Sequence, residues 1–306
     1  MNLKPLKESK KLKIYHSLNV RGELNSDQKL YYQNLKAGYE GELYFQSLTD
    51  QLQCECYVLN DLRFEIGNTL FQIDSMILFQ NIFNMNEVKN FYGDYYYDGG
   101  KFYDANGKER NDPLVQLTRC ESSFRQLQLK LGCKLPVEAN VVHVNPQFTL
   151  YQAPRNKPII LPTQVPRYLQ RLDNTPSRLN GYHKKLAEKL ISLHVEESPY
   201  NDKMMPLYEF GSLRKGLSCG ICRSLSVSVD GQRCICGLCG HEEKVELAVL
   251  RGVTELQLLF PDLKITTNLV YEWCGDAVSK KTIFRILLRN FDIVGDRRWT
   301  YFVQIK

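Results

Sequence analysis

The sequence predicts a mixed α/β fold, a central sheet flanked by helices, followed by a small cysteine-rich module and a basic helical tail. Three observations carry that expectation. Apolar residues recur at helical spacing over 26–53 and 112–131, with strand-like runs at 56–60, 70–79, 81–89 and 137–144. Five of the ten cysteines fall within the 21 residues 219–239. Seven basic residues against two acidic ones occupy 279–306, which is most of the net charge of +6.

The elements follow in order. Leu30, Tyr31, Leu35, Tyr39 and Leu43 mark the first helix, with Ser26 as a candidate N-cap. Asn81 sits in the turn of a hairpin joining 70–79 to 81–89. A further hairpin is expected at Asp98-Gly99-Gly100, between Tyr95–Tyr97 and Phe102–Tyr103. Leu114, Leu117, Phe124, Leu127 and Leu131 mark the next helix. Helix, three strands, helix and strand argue for a layered α/β unit. Prolines at 154, 158, 162 and 166 suggest an irregular exit from it, before an amphipathic helix at 178–195. Helices at 245–260, 266–274 and 279–291 and a hairpin at 292–304 close the chain. The expected domains are a basic N-terminal extension (1–29), the α/β domain (30–197), a linker (198–216), the cysteine module (217–243) and the tail (244–306).

Composition excludes several classes. Hydrophobic content of 43% and charged content of 24% are ordinary for a globular protein. No run approaches the ~18 apolar residues of a membrane span, and the Lys-rich N-terminus lacks the apolar core of a secretory signal. A cytoplasmic protein with no membrane partner is expected. There is no P-loop, GxSxG or dinucleotide fingerprint. The five histidines show no paired metal spacing, and Cys54, Cys56, Cys120, Cys133 and Cys274 read as small buried apolar residues. The basic run Lys4, Lys7, Lys10, Lys11 and Lys13 reads as a solvated face.

The chemistry centres on Glu87-Val88-Lys89 at the end of a strand. Alternation puts Glu87 and Lys89 on one face. A carboxylate there suits a hard divalent cation, and an adjacent ammonium suits phosphodiester hydrolysis, by orienting or helping to deprotonate water. Asp74 interrupts an otherwise apolar strand, a costly placement without a metal or a partner. Hairpin pairing would set it beside Glu87. Two glycines in Gly38-Tyr39-Glu40-Gly41-Glu42 disfavour a helix by roughly 1 kcal/mol each. A close approach of helix to sheet would explain them and bring Glu42 near the cation. Gln116 and Arg119, three apart on the next helix, face the same region.

With these residues in view, 38–161 resembles the nuclease-related domain (NERD) of the PD-(D/E)XK superfamily. The resemblance rests on GYEGE (38–42), VLNDL (58–62), FQIDSMIL (71–78), EVKNFYGDYYY (87–97), NDPLVQLTR (111–119) and HVNPQFTLYQAPRNKPIILPTQ (143–164). It implies a metal-dependent nuclease fold with functional positions at Glu42, Asp74, Glu87, Lys89 and Gln116. Ile73 stands where the superfamily's name has proline, a change that shapes the strand and leaves the carboxylate in place.

Cys219-x-x-Cys222 and Cys236-x-x-Cys239 have the spacing of a four-thiolate Zn²⁺ site, with a strand at Leu225–Val229 and a turn at Asp230-Gly231 between them. This reads as a structural zinc ribbon that leaves Cys234 and His241 spare. The tail resembles a winged helix-turn-helix, with Ser279 as N-cap, Lys280, Lys281, Arg285 and Arg289 on its third helix, and Arg297 and Arg298 on the wing. The expected function is a Mg²⁺- or Mn²⁺-dependent nuclease acting on DNA. The alternative is a catalytically silent DNA-binding or regulatory protein on the same fold.

Overall fold

The computed structural model describes residues 1–196, 204–296 and 299–304. The chain divides into two compact units, residues 1–8 with 34–197 and residues 9–33 with 198–306.

The first unit is built on a six-stranded sheet of β1 (Asn2–Lys4), β2 (Tyr57–Ile66), β3 (Thr69–Leu78), β4 (Phe83–Lys89), β7 (Val137–His143) and β9 (Ile159–Ile160), in that spatial order. β2, β3 and β4 run antiparallel, whereas β1–β2, β4–β7 and β7–β9 are parallel. A parallel step needs a long crossover, and α3 (Pro113–Lys130) lies within the one from β4 to β7. Asp112 caps α3 by accepting from Leu114 N–H at 2.8 Å, and Pro113 fits the first turn, where its missing N–H is harmless.

Helices cover both faces. Leu62, Phe64, Ile73 and Met85 share one core with Leu117, Phe124 and Leu127 of α3 and with Leu186 and Leu190 of α5 (Gly181–Ser192). Val58, Ile77, Val88 and Val142 share the other with Phe45 of α2 (Ser26–Thr49) and with Val165, Tyr168 and Leu172 of α4 (Val165–Asp173). A smaller sheet of β6 (Lys101–Asp104), β5 (Gly93–Asp98) and β8 (Phe148–Tyr151) follows the end of β4.

One irregularity matters for the site. Leu59 and Leu62 of β2 lie in the same core, as do Ile73 and Met76 of β3. Simple alternation would send each pair to opposite faces. The reversal falls at Asp61, whose φ of 50° lies in the left-handed region that Asp tolerates, and at Asp74 facing it across the pair.

In the second unit, α1 (Lys10–Arg21) packs against α6 (Val245–Leu259), which meets α7 (Thr267–Trp273) and α8 (Lys280–Asn290). An antiparallel hairpin of β13 (Phe291–Val294) and β14 (Tyr301–Gln304) follows α8. A three-stranded antiparallel sheet, β10 (Val227–Asp230), β11 (Arg233–Cys236) and β12 (Glu242–Lys244), precedes α6. Arg21, 1% exposed, makes two hydrogen bonds to the Glu255 carboxylate at 2.9 and 2.7 Å and lies 4.1 Å from the Trp273 ring centroid.

Several expectations are corrected here. Residues 1–29 are not an extension, because β1 joins the sheet and Leu12, Ile14, Tyr15 and Leu18 of α1 are buried. The Lys4 ammonium is not solvated but donates to the carbonyls of Asn60 (2.8 Å) and Asp61 (2.6 Å). The described part of the expected linker, 204–216, is packed: Phe210 stacks on Trp273, and the carbonyls of Arg214 and Gly216 accept from Arg21. Residues 198–203 lie outside the described residues. The proline-marked exit also contains α4, since Pro166 sits in its first turn, where proline is accommodated.

Candidate active site and cysteine cluster

Backbone pairing of β3 with β4 ends at Ser75↔Asn86. Beyond it, Val88 N–H donates to Asp74 Oδ2 at 2.8 Å, so a side chain replaces the carbonyl that would extend the ladder. The strands part there, and the gap holds the site. Glu87, 2% exposed, accepts from Lys89 Nζ at 2.6 Å. Lys89 also donates to Gln116 Oε1 of α3 at 3.0 Å. Asp74, Glu87, Lys89 and Gln116 are thus linked through β4 and α3, with β3 behind them.

Glu42 reaches the same region from α2. A Cβ at Gly41 would lie 2.5 Å from Asn90 Cβ, so only glycine allows this approach, and Asn90 Nδ2 fastens it by donating to Ala37 O at 2.8 Å. Gly38 meets nothing within 4 Å, so close packing accounts for only one of the two glycines. Burial, then the charges of Asp61 and Glu87, push the Glu42 carboxyl up to about 7. Burial and the charges of Glu87 and Glu42 raise Asp74 well above the usual carboxylate range. Burial alone would lower Lys89, but the surrounding carboxylates outweigh it and hold the ammonium above its ordinary value.

Two neighbours escaped the sequence reading. Asp61 accepts from Gln72 Nε2 at 3.0 Å and adds negative charge beside Glu42. Its signal was the polar Asn60-Asp61 step inside an apolar strand, just past where that strand was expected to end. His143 pairs in register with Lys89 and stacks on Phe148 at 3.9 Å between centroids. Burial and the Lys89 charge lower its imidazole to about 3. No paired metal or catalytic spacing marks it, although it opens the 143–164 stretch that resembles the nuclease-related domain.

Asp61 has its own cation, Lys4, whose Nζ lies 4.0 Å from Asp61 Oδ2, so Glu42, Asp74 and Glu87 face the Lys89 ammonium as an unbalanced set. Glu87 and Asp74 each retain a carboxylate oxygen with no hydrogen-bond partner among the described residues. Hard oxygen donors in negative excess fit Mg²⁺ or Mn²⁺. Asp74, Glu87 and Glu42 are the residues that would hold it, although their carboxylate oxygens are not gathered within 4.8 Å of one another as the four cysteine sulfurs are.

In the second unit, Cys219, Cys222, Cys236 and Cys239 bring four thiols within 4.8 Å of one another. The sulfur pairs Cys219–Cys239 and Cys222–Cys236 are 3.6 and 3.5 Å apart. Zn–S bonds of ~2.3 Å at tetrahedral angles give edges of ~3.8 Å, so the set fits Zn²⁺. Cys234 and His241 stand outside it. On α8, Lys280, Lys281, Arg285 and Arg289 are exposed, while Ile283, Ile286 and Leu287 are buried. Phe284 and Leu288, on the same helix, are 40% and 46% exposed. Arg297 and Arg298 lie outside the described residues.

A mixed sheet between helices, with a carboxylate–lysine site at a strand end, defines a nuclease-like fold. Residues 37–144, which hold every residue of the acidic site, match the family model of the nuclease-related domain. A search of solved structures returned Can2 from Sulfobacillus thermosulfidooxidans in complex with cyclic tetra-adenylate, at 15% identity and a TM-score of 0.33. The match spans about half of either chain, 54% of this one and 51% of that one. A search of curated proteins gave no match. Among the described residues no helix is long and apolar enough to cross a membrane.

Proposed function

We propose that this chain is a divalent-metal-dependent nuclease that hydrolyses phosphodiester bonds in DNA. The observation that supports this most is the linked set Asp74, Glu87, Lys89 and Gln116 inside the nuclease-related segment, with its excess of negative charge. A bound Mg²⁺ or Mn²⁺ would stabilise charge on the phosphate and ease deprotonation of the attacking water. Asp74 and Glu87 would hold the cation, with Glu42 assisting. Lys89, kept cationic by its neighbours, offers N–H donors to the attacked phosphate and orients the water. Gln116, exposed on α3, positions Lys89 and the substrate. Water adds to phosphorus, the bond to the leaving sugar oxygen breaks, and that oxygen takes up a proton.

In this reading Zn²⁺ on the four cysteines is structural, since four thiolates fill a tetrahedral shell. The three helices and hairpin of the C-terminal segment act as a winged helix-turn-helix, with α8 offering Lys280, Lys281, Arg285 and Arg289 to DNA phosphates.

The test is incubation of wild type, Asp74→Ala and Lys89→Ala with linear and circular DNA in Mg²⁺, Mn²⁺ or EDTA. Wild type cleaves only with metal, and each variant loses roughly 10²–10⁴-fold in rate while still binding DNA. Undiminished cleavage by both variants overturns the assignment. Salt-sensitive binding without any cleavage favours a silent DNA-binding protein.

A further inference from the structure

We propose that a cleft beside α3 is a subsite for one unpaired nucleotide of the substrate strand, adjacent to the bond that is cut; this rests on the nuclease reading above. Gln116 is the link. Its Oε1 accepts from Lys89 Nζ at 3.0 Å, and its neighbours Val115 and Arg119 on α3 line a cleft of about 800 Å³. The tip of the β5–β6 hairpin forms the facing wall, and the segment carrying Pro154 and Lys157 closes a third side. Tyr97 Oη donates to Asp112 Oδ1 at 2.8 Å and so ties the hairpin to the start of the helix.

The volume lies in the ~300–1,000 Å³ range of small-molecule sites and leaves room for one extruded or single-stranded nucleotide. Leu114, Val115, Pro154 and the Tyr97 ring offer flat apolar surface to a base. Arg119 and Lys157 are exposed, and neither charged group has an ion-pair or hydrogen-bond partner among the described residues. Of the acids at the cleft, Asp112 is engaged by Tyr97 and by capping α3, which leaves two cations against the exposed Asp98. Cation beside apolar platform is the chemistry of a phosphate joined to a base. Gln152, at the same cleft, has a φ of 53°, the sort of local strain that surrounding structure maintains at binding sites.

The test measures binding in EDTA, so that its outcome does not depend on cleavage. Fluorescence anisotropy of the full chain is followed with short labelled single-stranded DNA, single-stranded RNA and blunt duplex DNA. Val115→Trp fills the cleft from an exposed position, and the double variant Arg119→Glu/Lys157→Glu reverses its charge. Each is expected to weaken at least one single strand by about tenfold or more, and the duplex by at most about twofold. Whether the DNA or the RNA arm responds identifies the sugar. Single-strand affinity that is unchanged, or that falls no more than duplex affinity, overturns the subsite. Cleavage in Mg²⁺ is scored separately, so a failed nuclease assignment remains distinguishable from a failed subsite.

Discussion

Each unit buries charge, and the two do so in opposite ways. In the second, Arg21 meets a single carboxylate, Glu255, in a two-pronged ion pair beneath the Trp273 ring, and the Trp273 indole N–H donates to the same carboxylate at 3.3 Å. Charges cancel and donors are matched. In the first, Glu42, Asp74 and Glu87 gather around Lys89, and burial with the neighbouring negative charge raises the proton affinity of Glu42 and Asp74. A balanced buried pair asks for nothing further. An unbalanced set stores repulsion that a proton or a cation relieves, which is why the two regions suggest different roles, fastening in one case and metal binding in the other.

The comparison breaks most readily at Arg21. Arg21→Ala leaves the Glu255 carboxylate, 11% exposed, without its partner and should destabilise the second unit by about 3 kcal/mol in urea denaturation. At the acidic cluster the sign should reverse. Asp74→Asn keeps the acceptor for Val88 N–H while removing a charge, so without metal it should stabilise by about 1 kcal/mol or more, and it should remove any stabilisation by Mg²⁺. A loss of stability in EDTA would show that the cluster is balanced after all.

Glu42 sharpens the contrast through pH. Its folded pKa, about 7, lies above the ordinary carboxyl value. Its contribution to stability is therefore fully present below the unfolded pKa and lost as pH rises through the folded one. Thermal melts in EDTA should fall between about pH 5 and 8, and Glu42→Gln should flatten that fall. The smallest effect belongs to α8, where Lys280→Ala or Arg285→Ala should each reduce the salt slope of DNA binding by about one, with little change in melting temperature.

Much of this was readable in advance. Asp74 stood out as a carboxylate in an apolar strand, and Glu87 and Lys89 by their alternation. Long apolar periodicity located α2, α3, β3, β4 and β7. The rest depended on tertiary context. The turn at Gly67 (φ 59°), which makes β2 and β3 a long hairpin, was passed over because Asn60 and Asp61 break the apolar pattern before it. Asp61 went with it, and its left-handed φ is a pleat reversal that no periodicity reveals. Pro166 looked like a helix breaker but starts α4. Lys4 looked like solvated charge, yet its ammonium is met by two carbonyls of β2. The pairing of His143 with Lys89 joins residues whose adjacency arises only when β4 and β7 align.

The claim that an unbalanced carboxylate cluster exists to hold a divalent cation is tested most directly by Mn²⁺ binding. Calorimetric titration of the zinc-loaded, full-length chain at pH 8 should find a Mn²⁺ site in wild type that is lost in both Asp74→Asn and Glu87→Gln. Failure of wild type to bind Mn²⁺, or binding that survives both substitutions, would contradict it.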